Sequence, residues 1–334
     1  MEHGLQKLLT SVAAGLALAL ALTVSPAAAA PAAQDDRLVP SSSATVGEPH
    51  TNIIGGHGAT ESYSAMASLE IVRGDDANYH ICGGTLVFHR WVEINAHCVT
   101  QDDGTPYPAA MFHVRIGSGD RTTGGVVVGV AEILPHAEWD WATGTDRVAD
   151  ITMLRLDTYV QLQPIEIPTR LGKPKATTRL LGWGITEPSM EGPLPNALQE
   201  LDSRLIGATN CAGAAGGGGI TAGELCVASV NGTDGPCYGD SGGPAMQQVT
   251  AKRWQLVGSA SRETGEFCGT GPTIYTDLAY YRNWVYEVAR TGKVPPREQG
   301  IVQPKALIAQ QATGWLLPHP LHILHEQVKA DTSG

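Results

Sequence analysis

The sequence predicts an all-β fold, a barrel or a sandwich. Three observations carry that reading. From about residue 53 to residue 291 the apolar residues fall in short runs with strand character, punctuated at close intervals by Gly, Pro, Asn and Asp. Only one segment in that stretch has helical spacing. All six cysteines, Cys82, Cys98, Cys211, Cys226, Cys237 and Cys268, lie within it, an even count that in an exported chain implies disulfides.

Along the chain, residues 1–30 read as a secretory signal peptide. Lys7 precedes an apolar run from Leu8 to Val24, and Ala27 and Ala29 supply the small residues that signal peptidase requires. The run is short for an anchor and ends in small residues, and no later stretch approaches the roughly 18–20 apolar residues that span a bilayer. The mature form is therefore expected to be secreted, extracellular and free of the membrane. Residues 31–52, rich in Ala, Ser, Pro and Thr, read as a pro-segment or linker. Strand-like runs follow at Ala67–Val72, Gly84–Phe88, Phe112–Ile116, Gly125–Ile133, Ile151–Leu156, Leu180–Gly182, Gln255–Ser259 and Thr273–Tyr275. Leu278–Ala289 is the helical segment, with Leu278, Tyr281, Trp284, Val285 and Val288 on one face. Residues 292–334 hold five prolines and read as a flexible tail. Its His319, His322 and His325 have no Cys or firmly placed carboxylate beside them, so the tail is read as solvated rather than metal-binding.

Composition narrows the function. The 334 residues carry a net charge of −11, which argues against a nucleic-acid partner. With 42% hydrophobic and 16% charged residues the chain is too apolar to be disordered. Cysteine spacing alone leaves the disulfide connectivity open, while the lack of any CxxC pair argues against zinc. No metal and no other cofactor is expected.

The chemistry is concentrated in three patches. In Gly239-Asp240-Ser241-Gly242-Gly243-Pro244, glycines around a serine let the backbone bend and let a substrate carbonyl approach. The N–H groups of Gly239 and Ser241 can then converge on an oxyanion, each donor being worth roughly 2.7–4 kcal/mol. Asn95-Ala96-His97-Cys98 sets a base beside a cysteine, where a disulfide would pin its backbone. Asp150 opens the apolar run Ile151–Leu156, where a carboxylate can be buried and aimed at an imidazole. Each patch alone has a structural explanation; together they point to an activated serine nucleophile.

These patches resemble the chymotrypsin-family (trypsin-like) secreted serine proteases, of bacterial type. The resemblance extends to Ile53-Ile54-Gly55-Gly56, similar to the family's mature N-terminus, and to Cys82-Gly83-Gly84-Thr85-Leu86, Gly182-Trp183-Gly184 and Ile274-Tyr275-Thr276. It covers residues 53–291. It implies two six-stranded antiparallel β-barrels with a C-terminal helix, the triad between them, and the pairs Cys82–Cys98, Cys211–Cys226 and Cys237–Cys268. It also implies the roles: Ser241 as nucleophile, His97 as base and then acid, Asp150 as the group that orients the imidazole. Polypeptide substrates and protein inhibitors are the partners to expect. Activation by an unidentified protease between Asn52 and Ile53 would free an ammonium to pair with Asp240. The specificity pocket departs from the family pattern, with Gly235 at its base and Ser261, Glu263 and Thr273 on its walls. Bulky Glu263 and Thr273 predict weaker Arg/Lys selectivity, unless a register shift brings Asp234 to the base. Asn95 replaces an alanine usual in the family.

Weaker signals add little. Gly213–Gly219 lacks the Lys-Ser/Thr of a phosphate loop, Asn231-Gly232-Thr233 is a bare glycosylation sequon, and the loop after Gly117 lacks the carboxylates of a calcium site. A catalytically silent homologue acting as a binding module is the alternative reading. An α/β-hydrolase esterase is more distant, because that fold needs its acid and histidine after the serine.

Overall fold

The computed structural model describes residues 53–296 apart from 140–148, 172–175, 188, 191, 213–218 and 252. The expected signal peptide, the pro-segment, the tail histidines and most of the Gly213–Gly219 run lie outside the described residues. No helix among the described residues is long and apolar enough to cross a membrane.

Thirteen strands are described: β1 (His57–Gly58), β2 (Met66–Arg73), β3 (Asp76–Phe88), β4 (Trp91–Ile94), β5 (Phe112–Ile116), β6 (Val126–Pro135), β7 (Thr152–Leu156), β8 (Thr177–Gly182), β9 (Gln199–Ile206), β10 (Glu224–Val227), β11 (Pro244–Thr250), β12 (Arg253–Glu263) and β13 (Thr273–Asp277). One helix, α1 (Arg282–Thr291), follows them. Strands β2-β3-β4-β7-β6-β5 close into one antiparallel barrel. Strands β9-β10-β13-β12-β11-β8 form a second, closed by the β8–β9 pairing, with β1 added on the edge of β9.

The two-residue period of a strand explains how each barrel fills. In β2, Ala67, Leu69 and Ile71 point into the first barrel core beside Leu86, Ile116 and Leu154. The intervening Ser68 and Glu70 are also buried, but on the opposite face. In β4, Val92 and Ile94 enter the same core, which turns Trp91 and Glu93 outward, toward the second barrel. That barrel packs Leu180, Leu201, Val227, Ala245, Val257 and Tyr275 inside. Between the barrels, Val87, Trp91, Ile151 and Met153 meet Leu256 and the helical Val285 and Val288.

The sequence expectations for strands locate eight of these elements and miss β1, β4, β9, β10 and β11. Charged and polar side chains alternate through Gln199–Ile206, and β4 is four residues long with a buried glutamate, so neither shows as an apolar run. The helix starts later than its apolar spacing suggests. Asp277 Oδ1 accepts from the N–H groups of Ala279 and Tyr280 at 2.8 and 3.1 Å, a local turn that holds the chain out of helix until Arg282.

Leu86 is fully enclosed in the first barrel. Leu86→Ala is expected to cost about 2–5 kcal/mol of stability, read as a lowered denaturant midpoint with unchanged slope.

Candidate active site

Three segments converge where the barrels meet. His97 sits in a short 3-10 turn, Ala96–Cys98, immediately after β4. Cys98 in that turn is bridged to Cys82 of β3, and the other disulfides join Cys211 to Cys226 and Cys237 to Cys268. Asp150 stands just ahead of β7 and reaches the turn with both oxygens. Its Oδ1 accepts the His97 backbone N–H at 3.0 Å, and its Oδ2 lies 2.7 Å from His97 Nδ1. Ser261 of β12 donates its hydroxyl to the same Oδ2 at 2.6 Å. A β-bulge falls at this point of β12, where Ala260 pairs with Tyr275 and Arg262 with the adjacent Ile274. The bulge re-aims Ser261 out of the ladder and onto Asp150.

Asp150 is 2% exposed. Burial would raise its carboxyl, but the charge of His97 and the hydrogen bonds from His97 and Ser261 outweigh burial and hold it down, at about 2. The carboxylate is thus ionised throughout the neutral range and orients the ring through Nδ1.

Ser241 arrives from the second barrel, in the turn leading to β11. Its carbonyl accepts the N–H of Gly83 at 2.7 Å, and the N–H of Gly242 is bonded to Ala260 at 2.9 Å. Gly83 is next to Cys82, the partner of the cysteine beside His97. One hydrogen bond and one disulfide therefore link the serine to the histidine. The approach requires glycine: a Cβ at Gly242, whose φ is +75°, would stand 2.4 Å from the Gly83 carbonyl and 2.7 Å from Ile94 Cγ1.

The preceding Asp240 is buried, with Oδ1 taking the Gly184 N–H at 2.7 Å and Oδ2 the Cys237 N–H at 2.9 Å. Gly182-Trp183-Gly184 is what admits it. A Cβ at Gly182 or Gly184 would lie 1.8 or 2.3 Å from a carboxylate oxygen of Asp240. Burial pushes the Asp240 carboxyl up, to about 7, against the two backbone donors. Ile53, also buried, lies in the second barrel core, and Ile54 bridges Gly235, whose N–H reaches the Ile54 carbonyl at 3.0 Å.

The sequence did not single out His80. Its Nε2 lies 2.8 Å from the Gly239 carbonyl, and its Nδ1 lies 2.8 Å from Ser68 Oγ. Since a carbonyl only accepts, Nε2 carries the proton, and the ring fixes the peptide that follows Gly239. Burial pushes His80 down, to about 4, so it is neutral in ordinary buffers. The legible signal was a histidine two residues before Cys82.

At the expected specificity pocket, Gly235 faces Gly269 and Thr273, its virtual Cβ lying 3.7 Å from Thr273 Oγ1. Thr273 Oγ1 in turn donates to the Glu263 carboxylate, 3.0 Å from Oε2. Glu263 is only partly buried as a residue, but desolvation of its carboxyl, barely offset by Thr273, pushes it up. Asp234 adjoins Gly235, and its backbone approaches Gly269. Its oxygens accept from Ser229 Oγ, the Asn231 backbone and Asn231 Nδ2 at 2.9, 3.1 and 3.0 Å, so the carboxylate is spent within its own turn. The ligand atoms of Cys82, His97 and Cys98 cluster within 4.8 Å, yet both sulfurs are in a disulfide and offer no thiolate to a metal.

A family model described as Trypsin matches residues 53–285. The chain belongs to the trypsin family. It is 31% identical over 244 residues to trypsin alpha-4 of Lucilia cuprina, an overlap covering 71% of this chain and 87% of that protein. It is 29% identical over 235 residues to transmembrane protease serine 11G of Rattus norvegicus, covering 68% of this chain and 52% of that protein, so it spans about half of that relative. Among solved structures it resembles neuropsin, a serine protease expressed in the limbic system of mouse brain. The TM-score is 0.59 at 28% identity, covering 71% of this chain and all of the other. The likeness includes both closed barrels and the C-terminal helix. Members of this family are serine-type endopeptidases, hydrolases acting on polypeptides. The relatives named are animal proteins, and the bacterial affinity expected from the sequence finds no support among them.

Burial sets a pH dependence of stability. Asp240 is raised from 3.8 to about 7 and Glu93 of β4 from 4.5 to about 8, chiefly by desolvation. The folded chain then keeps protons that the unfolded chain has lost. Their contribution is complete below about pH 4 and declines as pH rises toward about 8. Buried His80, lowered from 6.5 to about 4, acts in the opposite sense below about pH 6.5, so the chain should show a higher urea midpoint at pH 6.5 than at pH 8. A flat profile over that interval would contradict the assignment.

Proposed function

We propose that the protein is a secreted serine endopeptidase that cleaves peptide bonds through Ser241, His97 and Asp150. The observation that carries this is the Asp150 carboxylate, held by His97 from one barrel and Ser261 from the other, with Ser241 bonded to Gly83 alongside. In this reading His97 Nε2 takes the Ser241 proton as Oγ attacks the scissile carbonyl. The N–H groups of Gly239 and Ser241 stabilise the oxyanion, and His97 then protonates the leaving amine. Water, activated by the same imidazole, hydrolyses the acyl-enzyme. Asp150 stays ionised, in keeping with its lowered carboxyl.

Activation follows from the same arrangement. Cleavage between Asn52 and Ile53 would release an ammonium from a segment already packed against Gly235 and would give buried Asp240 a cation. An unpaired buried charge commonly costs about 3–5 kcal/mol, so the pair would favour the ionised Asp240 and order the Gly239 loop. N-terminal sequencing of active secreted material is expected to begin at Ile53; any other start would remove this step.

Specificity is read from Gly235, Ser261, Glu263 and Thr273. The Thr273 hydroxyl stands between Gly235 and the Glu263 carboxyl, which narrows the space for the residue before the scissile bond. The Ser261 hydroxyl is engaged with Asp150, so only its backbone is available to substrate. With the Asp234 carboxylate spent within its own turn, strict Arg/Lys cleavage is disfavoured.

Ser241→Ala is expected to abolish hydrolysis of a denatured protein substrate while leaving the fold intact. Asp150→Asn should lower kcat about 10⁴-fold. A silent binding homologue would show no Ser241-dependent turnover at all. Peptides carrying Arg, Phe or Ala before the scissile bond test the pocket, and strong selectivity for Arg would refute the narrowed form.

A further inference from the structure

Behind the catalytic groups the barrels are joined by a seam of buried polar rungs. In the first, Ser259 of β12 donates to Glu93 Oε1 at 2.9 Å. In the second, Asn95 Nδ2 donates to Thr276 Oγ1 at 3.0 Å and to the Asp150 carbonyl at 2.6 Å. The third is the Ser261–Asp150–His97 contact itself. The rungs leave the first barrel at residues 93, 95 and 97, alternate positions of one extended stretch and the turn that follows it. They enter the second at 259, 276 and 261, where Ser259 and Thr276 are cross-strand partners.

Glu93 has no part in the chemistry described above. It is fully buried, and its Oε2 has no hydrogen-bond partner among the described residues. The same holds for the hydroxyl of Thr85, which lies directly opposite on β3. Met153, opposite on β7, and Ser259 on β12 are uncharged. The charged group acting on Glu93 is Asp150, and it repels the ionised form.

We propose that Glu93, in its protonated form, is a positioning residue for the His97–Asp150 pair. The inference rests on the reading of that pair as the proton-handling part of the site. A neutral carboxyl accepts from Ser259 with one oxygen and adds no charge to the buried seam. An ionised one places a second buried anion near Asp150, and the resulting repulsion strains the rung that holds β12, and through it Ser261, in place. Burial pushes Glu93 up, to about 8, so the change of state falls within the working range of an extracellular hydrolase.

The test compares the activated wild-type protein with its Glu93→Gln and Glu93→Ala variants, following kcat and KM on one peptide substrate from pH 5 to 10. The NMR signal of the His97 Nδ1 proton is followed over the same range. The wild type should lose kcat as pH passes about 8, and Glu93→Gln, which keeps the rung but cannot ionise, should not. Glu93→Ala should lower kcat about tenfold at pH 7 with KM within about twofold, since Glu93 acts through other residues rather than on substrate. The His97 signal should show an inflection near pH 8 that is absent in Glu93→Gln. Identical kcat profiles for wild type and Glu93→Gln, or a His97 signal that titrates alike in both, would overturn the proposal. Should Glu93→Ala fail to fold, Glu93→Gln carries the test alone. A well-folded wild type without Ser241-dependent turnover would instead sink the proteolytic reading, while the NMR comparison would still decide the role of Glu93.

Discussion

Everything at the site depends on one shared acceptor. Asp150 offers two oxygens, and groups from both barrels compete for them: the His97 backbone and ring from the first, the Ser261 hydroxyl from the second. A carboxylate at this depth is tolerable only because these donors replace the water it has lost. The cross-barrel bonds give that solvation a geometric consequence. Neither barrel can rotate against the other without leaving a buried anion underbonded, so a requirement of electrostatics becomes a constraint on alignment.

Alignment in turn demands close approach. The serine turn lies backbone against backbone on β3, and the Asp240 carboxylate occupies space that any side chain at positions 182 or 184 would take. Each contact uses a glycine as the absence of an obstacle. The Ser241 turn of the second barrel thereby comes directly onto a strand of the first.

Much of this was legible in the sequence because the chemistry is written in short, local patterns. The serine patch, His97 beside a cysteine, and Asp150 at the head of an apolar strand are each contiguous. The Gly182-Trp183-Gly184 motif acquires its meaning only once Asp240 is seen to fill the gap between the glycines. Two of the strands that escaped notice, β4 and β9, bury polar side chains. Glu93 in β4 breaks the apolar pattern because its face is turned to the seam, and β9 alternates with charges that pair on the outside, such as Asp202 with Arg179. His80, Ser68 and Ser259 were invisible for a related reason: a buried polar residue declares itself only through a partner far away in the chain. Asn95 drew attention as a substitution, yet its role as a tie between Asp150 and Thr276 depends on a cross-barrel distance that one-dimensional spacing does not contain.

The Cys82–Cys98 bridge has a consequence beyond stability. Its one end adjoins the residue that holds the serine turn, and its other end adjoins the imidazole. Breaking that single covalent link would loosen the Gly83 strand and the His97 turn together, so the placing of Ser241 relative to His97 depends on the oxidation state of one cysteine pair.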